Sequence, residues 1–98
     1  MNHIKLRTYI KAKEEVDSLQ CYINLIDDYE VNSLEEFIIK FYAISNSTSG
    51  VIKEFNKNKP MFGTSNLKRD YIITVIKSPP IDELHKIIRQ GYIRRYGK

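Results

Sequence analysis

Apolar residues change their period several times along this chain, and each period predicts an element. Ile4, Leu6, Thr8, Ile10 and Ala12 alternate with His3, Lys5, Arg7, Tyr9 and Lys11, the two-residue repeat of a half-buried strand. From Lys13 to Asp28 two periods coexist: Val16, Leu19, Ile23 and Ile26 fall at steps of three and four, while Leu19, Cys21, Ile23 and Leu25 alternate. The lack of Gly or Pro there, and Glu14, Glu15 and Asp17 near the start, favour a helix; a strand would instead pair with the first as a hairpin. Ser33 then suits an N-cap, with Glu35 and Glu36 in the following turn. Leu34, Phe37, Ile38, Phe41 and Ile44 recur at helical spacing, which predicts a helix over 34–44.

Asn46, Ser47, Thr48, Ser49 and Gly50 break that pattern, because such residues favour caps and turns, and a second apolar group, Val51, Ile52 and Phe55, follows directly. The run Ala43-Ile44-Ser45-Asn46-Ser47-Thr48 resembles the turn of helix-turn-helix DNA-binding proteins. The resemblance spans about twenty residues and implies a recognition helix over 46–55, its N-terminal residues on base edges in the major groove. Three positions depart from the family pattern. Ile39 replaces a small residue at the helix crossing, Ser49 replaces a core aliphatic, and Gly50 costs about 1 kcal/mol against Ala inside a helix. The other reading is a polar loop over 45–50 followed by a short strand over 51–55.

Pro60 ends any continuous element after Asn56-Lys57-Asn58-Lys59, Met61 and Phe62 read as core contacts, and Gly63-Thr64-Ser65-Asn66 is a turn signal. Tyr71 to Ile76, rich in β-branched residues, predicts a strand. With Lys57, Lys59, Lys68 and Arg69 near its tip, a hairpin here resembles the wing of winged-helix proteins, which grips the phosphate backbone. Ser78-Pro79-Pro80 stops the strand, and Asp82 and Glu83 open a helix whose apolar face is Ile81, Leu84, Ile87 and Ile88. The tail from Tyr92 to Lys98 interleaves Tyr with Arg94 and Arg95, which suits phosphate contacts with base stacking, and equally a homodimer through the C-terminal helix.

With 98 residues the chain forms one domain, 1–98, and its hydrophobic fraction of 42% fits a folded core. The bias toward Asn, Lys, Ile and Tyr suggests an AT-rich genome, such as that of a low-GC bacterium, its phage or a mobile element. The net charge of +4 is segregated: Glu14 to Ile39 holds eight acids and no Lys or Arg, whereas Lys40 onward holds twelve bases and four acids. Such asymmetry orients a protein on a polyanion, or merely solvates two faces. A single cysteine, Cys21, excludes an internal disulfide framework and reads as buried packing. No apolar run is long enough to span a bilayer and no signal peptide is evident, so a soluble cytoplasmic protein is expected.

Candidate chemistry is sparse. Asp27-Asp28 has the form of a metal or acid-base pair, but adjacent acids at the end of an element are usually a solvated terminus. His85 has no partner at ligand spacing, and there is no phosphate loop or nucleophile motif. Neither a cofactor nor a metal is therefore expected, and an enzyme is the least favoured class.

The combined expectation is a small α+β domain, winged-helix-like in the order strand, three helices, β-hairpin, C-terminal helix, with β-β-α-β-β-α as the alternative. Its expected role is a non-enzymatic regulator of double-stranded DNA. Asn46, Ser47, Ser49 and Lys53 would meet bases, and Lys57, Lys59, Lys68, Arg69, Arg94 and Arg95 would meet phosphates. The competing role is a protein-binding module, such as a phage-encoded inhibitor or adaptor docking Asp27, Asp28 and Glu30 on a basic host protein.

Overall fold

The computed structural model describes residues 6–58 and 66–97, and over these residues the chain is all helical. The helices are α1, Leu6–Asp27; α2, Leu34–Ser45; α3, Thr48–Lys57; α4, Arg69–Lys77; and α5, Glu83–Tyr96. α2 is the hub, touching each of the other four. Its start is fixed as the sequence suggests. Ser33 Oγ accepts from the Glu36 backbone N–H at 3.1 Å, and the Glu36 carboxylate accepts from the Asn32 N–H at 2.6 Å, so each end of this short segment satisfies a donor of the other. Ile38 and Ile39 are both wholly buried and meet Val51 of α3, Ile72 and Ile76 of α4, and Leu84 of α5 in one core. Phe37 stacks on Phe41, with ring centroids 4.6 Å apart, and meets Phe55 edge-on at 6.2 Å.

The C-terminal end of α1 is held to this body by polar bonds. Tyr29 donates its hydroxyl to Asp82 Oδ2 at 2.5 Å, while Asp82 Oδ1 caps α5 by accepting from the His85 N–H. Lys40 Nζ donates to the Tyr29 carbonyl. α5 in turn closes the end of α4: His85 Nε2 lies 2.9 Å from the Val75 carbonyl and 3.1 Å from that of Ile76, and Arg89 Nε donates to the Lys77 carbonyl. α5 thus adds donors to the carbonyls of the last turn of α4, where the Val75 carbonyl also accepts from the N–H and hydroxyl of the C-cap Ser78. His85 Nδ1 accepts from the Ile81 N–H, so the buried ring has a hydrogen-bond partner at both nitrogens.

The α+β expectation, winged-helix or β-β-α-β-β-α, is overturned, because no strand occurs among the described residues. The alternation over 4–12 gives way to helix from Leu6 onward. With no Gly, Pro or turn signal between there and Asp27, one helix propagates through both periodic segments. The β-branched run 71–76 lies inside α4. Ile72, Val75 and Ile76 sit at steps of three and one on a buried face, and packing on α2 and α5 outweighs strand propensity where the described residues offer no strand to pair with. The same applies to 51–55, which is helical. Of the turn signal Gly63-Thr64-Ser65-Asn66 the first three residues lie outside the described residues, as do Lys59, Met61 and Phe62. Cys21 is exposed rather than buried. Among the described residues, no helix is long and apolar enough to cross a membrane.

Candidate nucleic-acid interface

The connection between α2 and α3 is only Asn46 and Ser47. Asn46 takes the left-handed conformation (φ 57°, ψ 30°), which Asn tolerates better than most residues, and its N–H returns to the Tyr42 carbonyl at 2.7 Å to cap α2. Ser47 is extended, and its Oγ accepts from the Gly50 N–H at 2.9 Å to cap α3. Gly50 is required by proximity: a Cβ there would lie 2.4 Å from both Cβ and Oγ of Ser45. The small residue at the helix crossing is therefore Gly50, and Ile39, expected to obstruct the approach, is a wholly buried core residue. Val51 and Phe55 anchor α3, which leaves Ser49, Lys53, Asn56 and Lys57 exposed. Lys57 pairs with Glu54 at 3.8 Å, an exposed contact that contributes little and leaves the ammonium available to solvent.

Arg95 of α5 converges on the same corner. With the Asn46 amide oriented to present its oxygen, Arg95 Nη2 donates to it at 2.7 Å, and the guanidinium lies 5.7 Å from the Tyr96 ring centroid. Arg94 is exposed beside it. Tyr92 turns inward and meets Tyr42 edge-on at 6.3 Å, so it is not splayed for base stacking, whereas Tyr96 is exposed. A cleft of about 640 Å³ opens next to this corner, lined by Tyr22, Tyr42, Asn46, Tyr92 and Arg95 among others. Burial pushes the Tyr42 phenol above its usual range, with Tyr96 adding to the shift and Arg95 opposing it.

Of the residues singled out from sequence, the fold thus unites Asn46, Ser47 and Arg95, with Arg94 adjacent, and runs Ser49, Lys53 and Lys57 away from them along α3. It does not bring Lys68 and Arg69 to that corner. They open α4, and the Tyr71 hydroxyl just after them bonds Glu35 at 2.9 Å, at the start of α2 and the far end from Asn46. Lys59 lies outside the described residues. Asp27, Asp28 and Glu30 are exposed at the end of α1 and beyond it. Among the described residues, no three His, Cys, Asp or Glu side chains are grouped to hold a metal ion. Sequence reasoning treated Gly50 as a defect and did not connect Arg95 to Asn46. A Gly three residues after a Ser N-cap was a usable signal for close approach, but no local signal joins the tail to the turn. No protein-family model, curated protein or solved structure matches the chain.

Proposed function

We propose that this protein is a non-enzymatic regulator that binds double-stranded DNA through α3 and the corner where α3 begins. The observation that carries this reading is the Arg95–Asn46 hydrogen bond, which sets a cation from the C-terminal helix at the connection leading into α3. Asn46 and the Tyr96 hydroxyl engage part of the guanidinium, which is exposed and keeps its charge and outer face open to phosphate oxygens. The first turn of α3 adds backbone N–H groups and the positive end of a helix dipole, both favourable to phosphate. Lys53 and Lys57 continue the cationic side along the helix, and Ser49, Lys53 and Asn56 are the exposed side chains that would meet base edges. The wing of the winged-helix expectation has no place in this reading. Lys68 and Arg69 stand at the other end of α2.

Binding of a mixed-sequence duplex as salt is raised tests the reading. Four to six phosphate contacts predict that log K falls against log salt with a slope of roughly −3.5 to −5.5, and Arg94→Ala, Arg95→Ala or Lys57→Ala should each flatten it by about one. Lys53→Ala should weaken a preferred site by about 1 to 3 kcal/mol. Charge reversal at Asp27, Asp28 and Glu30 should leave DNA binding intact. A protein that fails to bind duplex even at low salt would instead fit the module that docks through those acids.

A further inference from the structure

α1 departs from the body along most of its length. Every described side chain from Thr8 to Cys21 is exposed, and only Tyr22, Leu25 and Ile26 near its end join the core. Its exposed apolar residues are nevertheless ordered. Tyr9, Ala12, Val16, Leu19 and Ile23 follow steps of three, four, three and four, the repeat of a two-helix seam, and the four larger ones stand 57%, 61%, 57% and 48% exposed. This stripe lies about a quarter turn round the helix from the residues that touch the body, so it is open to a partner while the body stays attached.

Charge on the same helix indicates which partner. Its early part carries Lys11 and Lys13, and Glu14, Glu15 and Asp17 follow in its middle, where in an antiparallel pair Glu14 and Glu15 stand opposite the uncharged Cys21 and Gln20 rather than their own copies. Its end and the residues just after it carry Asp27, Asp28 and Glu30, all exposed, set against the negative end of the helix dipole, with no basic residue in the last turn. A second copy laid parallel would set cations beside cations and acids beside acids. Laid antiparallel, it sets the basic part of each helix toward the acidic end of the other and cancels the two dipoles. We infer that α1 pairs antiparallel with α1 of a second copy of this chain, about a two-fold axis near Asp17 and Ser18 that places Val16 against Leu19 of the partner. Counting the stripe and its flanking methylenes on both copies, such pairing removes on the order of 1,000 Å² from water, near the lower end for specific association. The dimer is accordingly reversible and concentration-dependent.

Sedimentation equilibrium of the purified chain should show a dimer at about 100 μM that dissociates on dilution. Val16→Glu combined with Leu19→Glu should weaken association by at least about tenfold. Because both positions are exposed, circular dichroism should still show the folded body. Orientation is read in a Cys21→Ser background. Mild oxidation of a mixture of Val16→Cys and Leu19→Cys chains should yield the mixed disulfide in preference to either homodimer. A monomer at the highest concentration, which would leave the stripe to some other partner, overturns the inference. So does undiminished association of the double Glu variant, or preferential cross-linking of Val16→Cys chains to one another.

Discussion

α1 and α2 carry apolar residues at the same spacing, yet Ile38 and Ile39 of α2 are wholly buried while Val16 and Leu19 of α1 stand more than half exposed. The difference lies in what surrounds each helix. α2 is enclosed by four neighbours and caps its first turn through Ser33 and Glu36, whereas α1 meets the body only near its end and has no acid in its first turn to support it. A helical period therefore announces a face that wants covering. Whether this chain or another covers it is a separate matter.

The sharpest way to break the contrast is to truncate one residue of each kind. Ile38→Ala should lower the unfolding free energy by about 2 to 5 kcal/mol, because the enclosed site cannot collapse around the lost methyl groups. Leu19→Ala, measured by urea denaturation at a concentration low enough to keep the chain monomeric, should stay within about 0.5 kcal/mol. Comparable losses at the two positions would mean that α1 is as enclosed as α2.

Gly50→Ala sharpens the comparison at the other end of α2. Ala is the better helix former, but its methyl would meet Ser45 at 2.4 Å, so α3 must shift from α2. A net loss of about 1 to 3 kcal/mol is expected by the same denaturation assay. An equivalent Ala substitution in exposed α1, such as Ser18→Ala, should be neutral or slightly stabilising.

The smallest of the expected losses in the body belongs to the junction itself. Burial, together with the hydrogen bond to Asp82, raises the Tyr29 phenol well above its ordinary range. Its stabilising contribution is therefore fully present below the unfolded tyrosine pKa of about 10 and is lost as pH rises through the folded value. Stability followed by denaturation should fall above about pH 10. Tyr29→Phe should remove about 1 kcal/mol at neutral pH and flatten that alkaline decline. An unchanged decline would assign it to the other raised phenols, Tyr22, Tyr42 and Tyr71.

What the sequence determined by itself was local. The Ser33 cap with its acids, the helical spacing from Leu34 to Phe41, the break at Asn46 and Ser47, and the helix that opens at Asp82 all rest on interactions within a turn or two of backbone, whereas helix and strand stayed open for 51–55. Legibility ended where the deciding neighbour lay elsewhere in the chain. The run 71–76 became helix because α2 and α5 offered its Ile72, Val75 and Ile76 face a core, and the described residues hold no strand to pair with it. Ile44, on the expected apolar face of α2, was left exposed where that face runs past its neighbours, and Cys21 likewise on α1. The candidate interface was legible as a list of polar and basic residues, but not as a surface. Arg95 joined Asn46, and Lys68 and Arg69 were carried to the opposite end of α2, because the packing of α4 and α5 on α2 sets those positions, and no period or cap in one dimension records how helices cross.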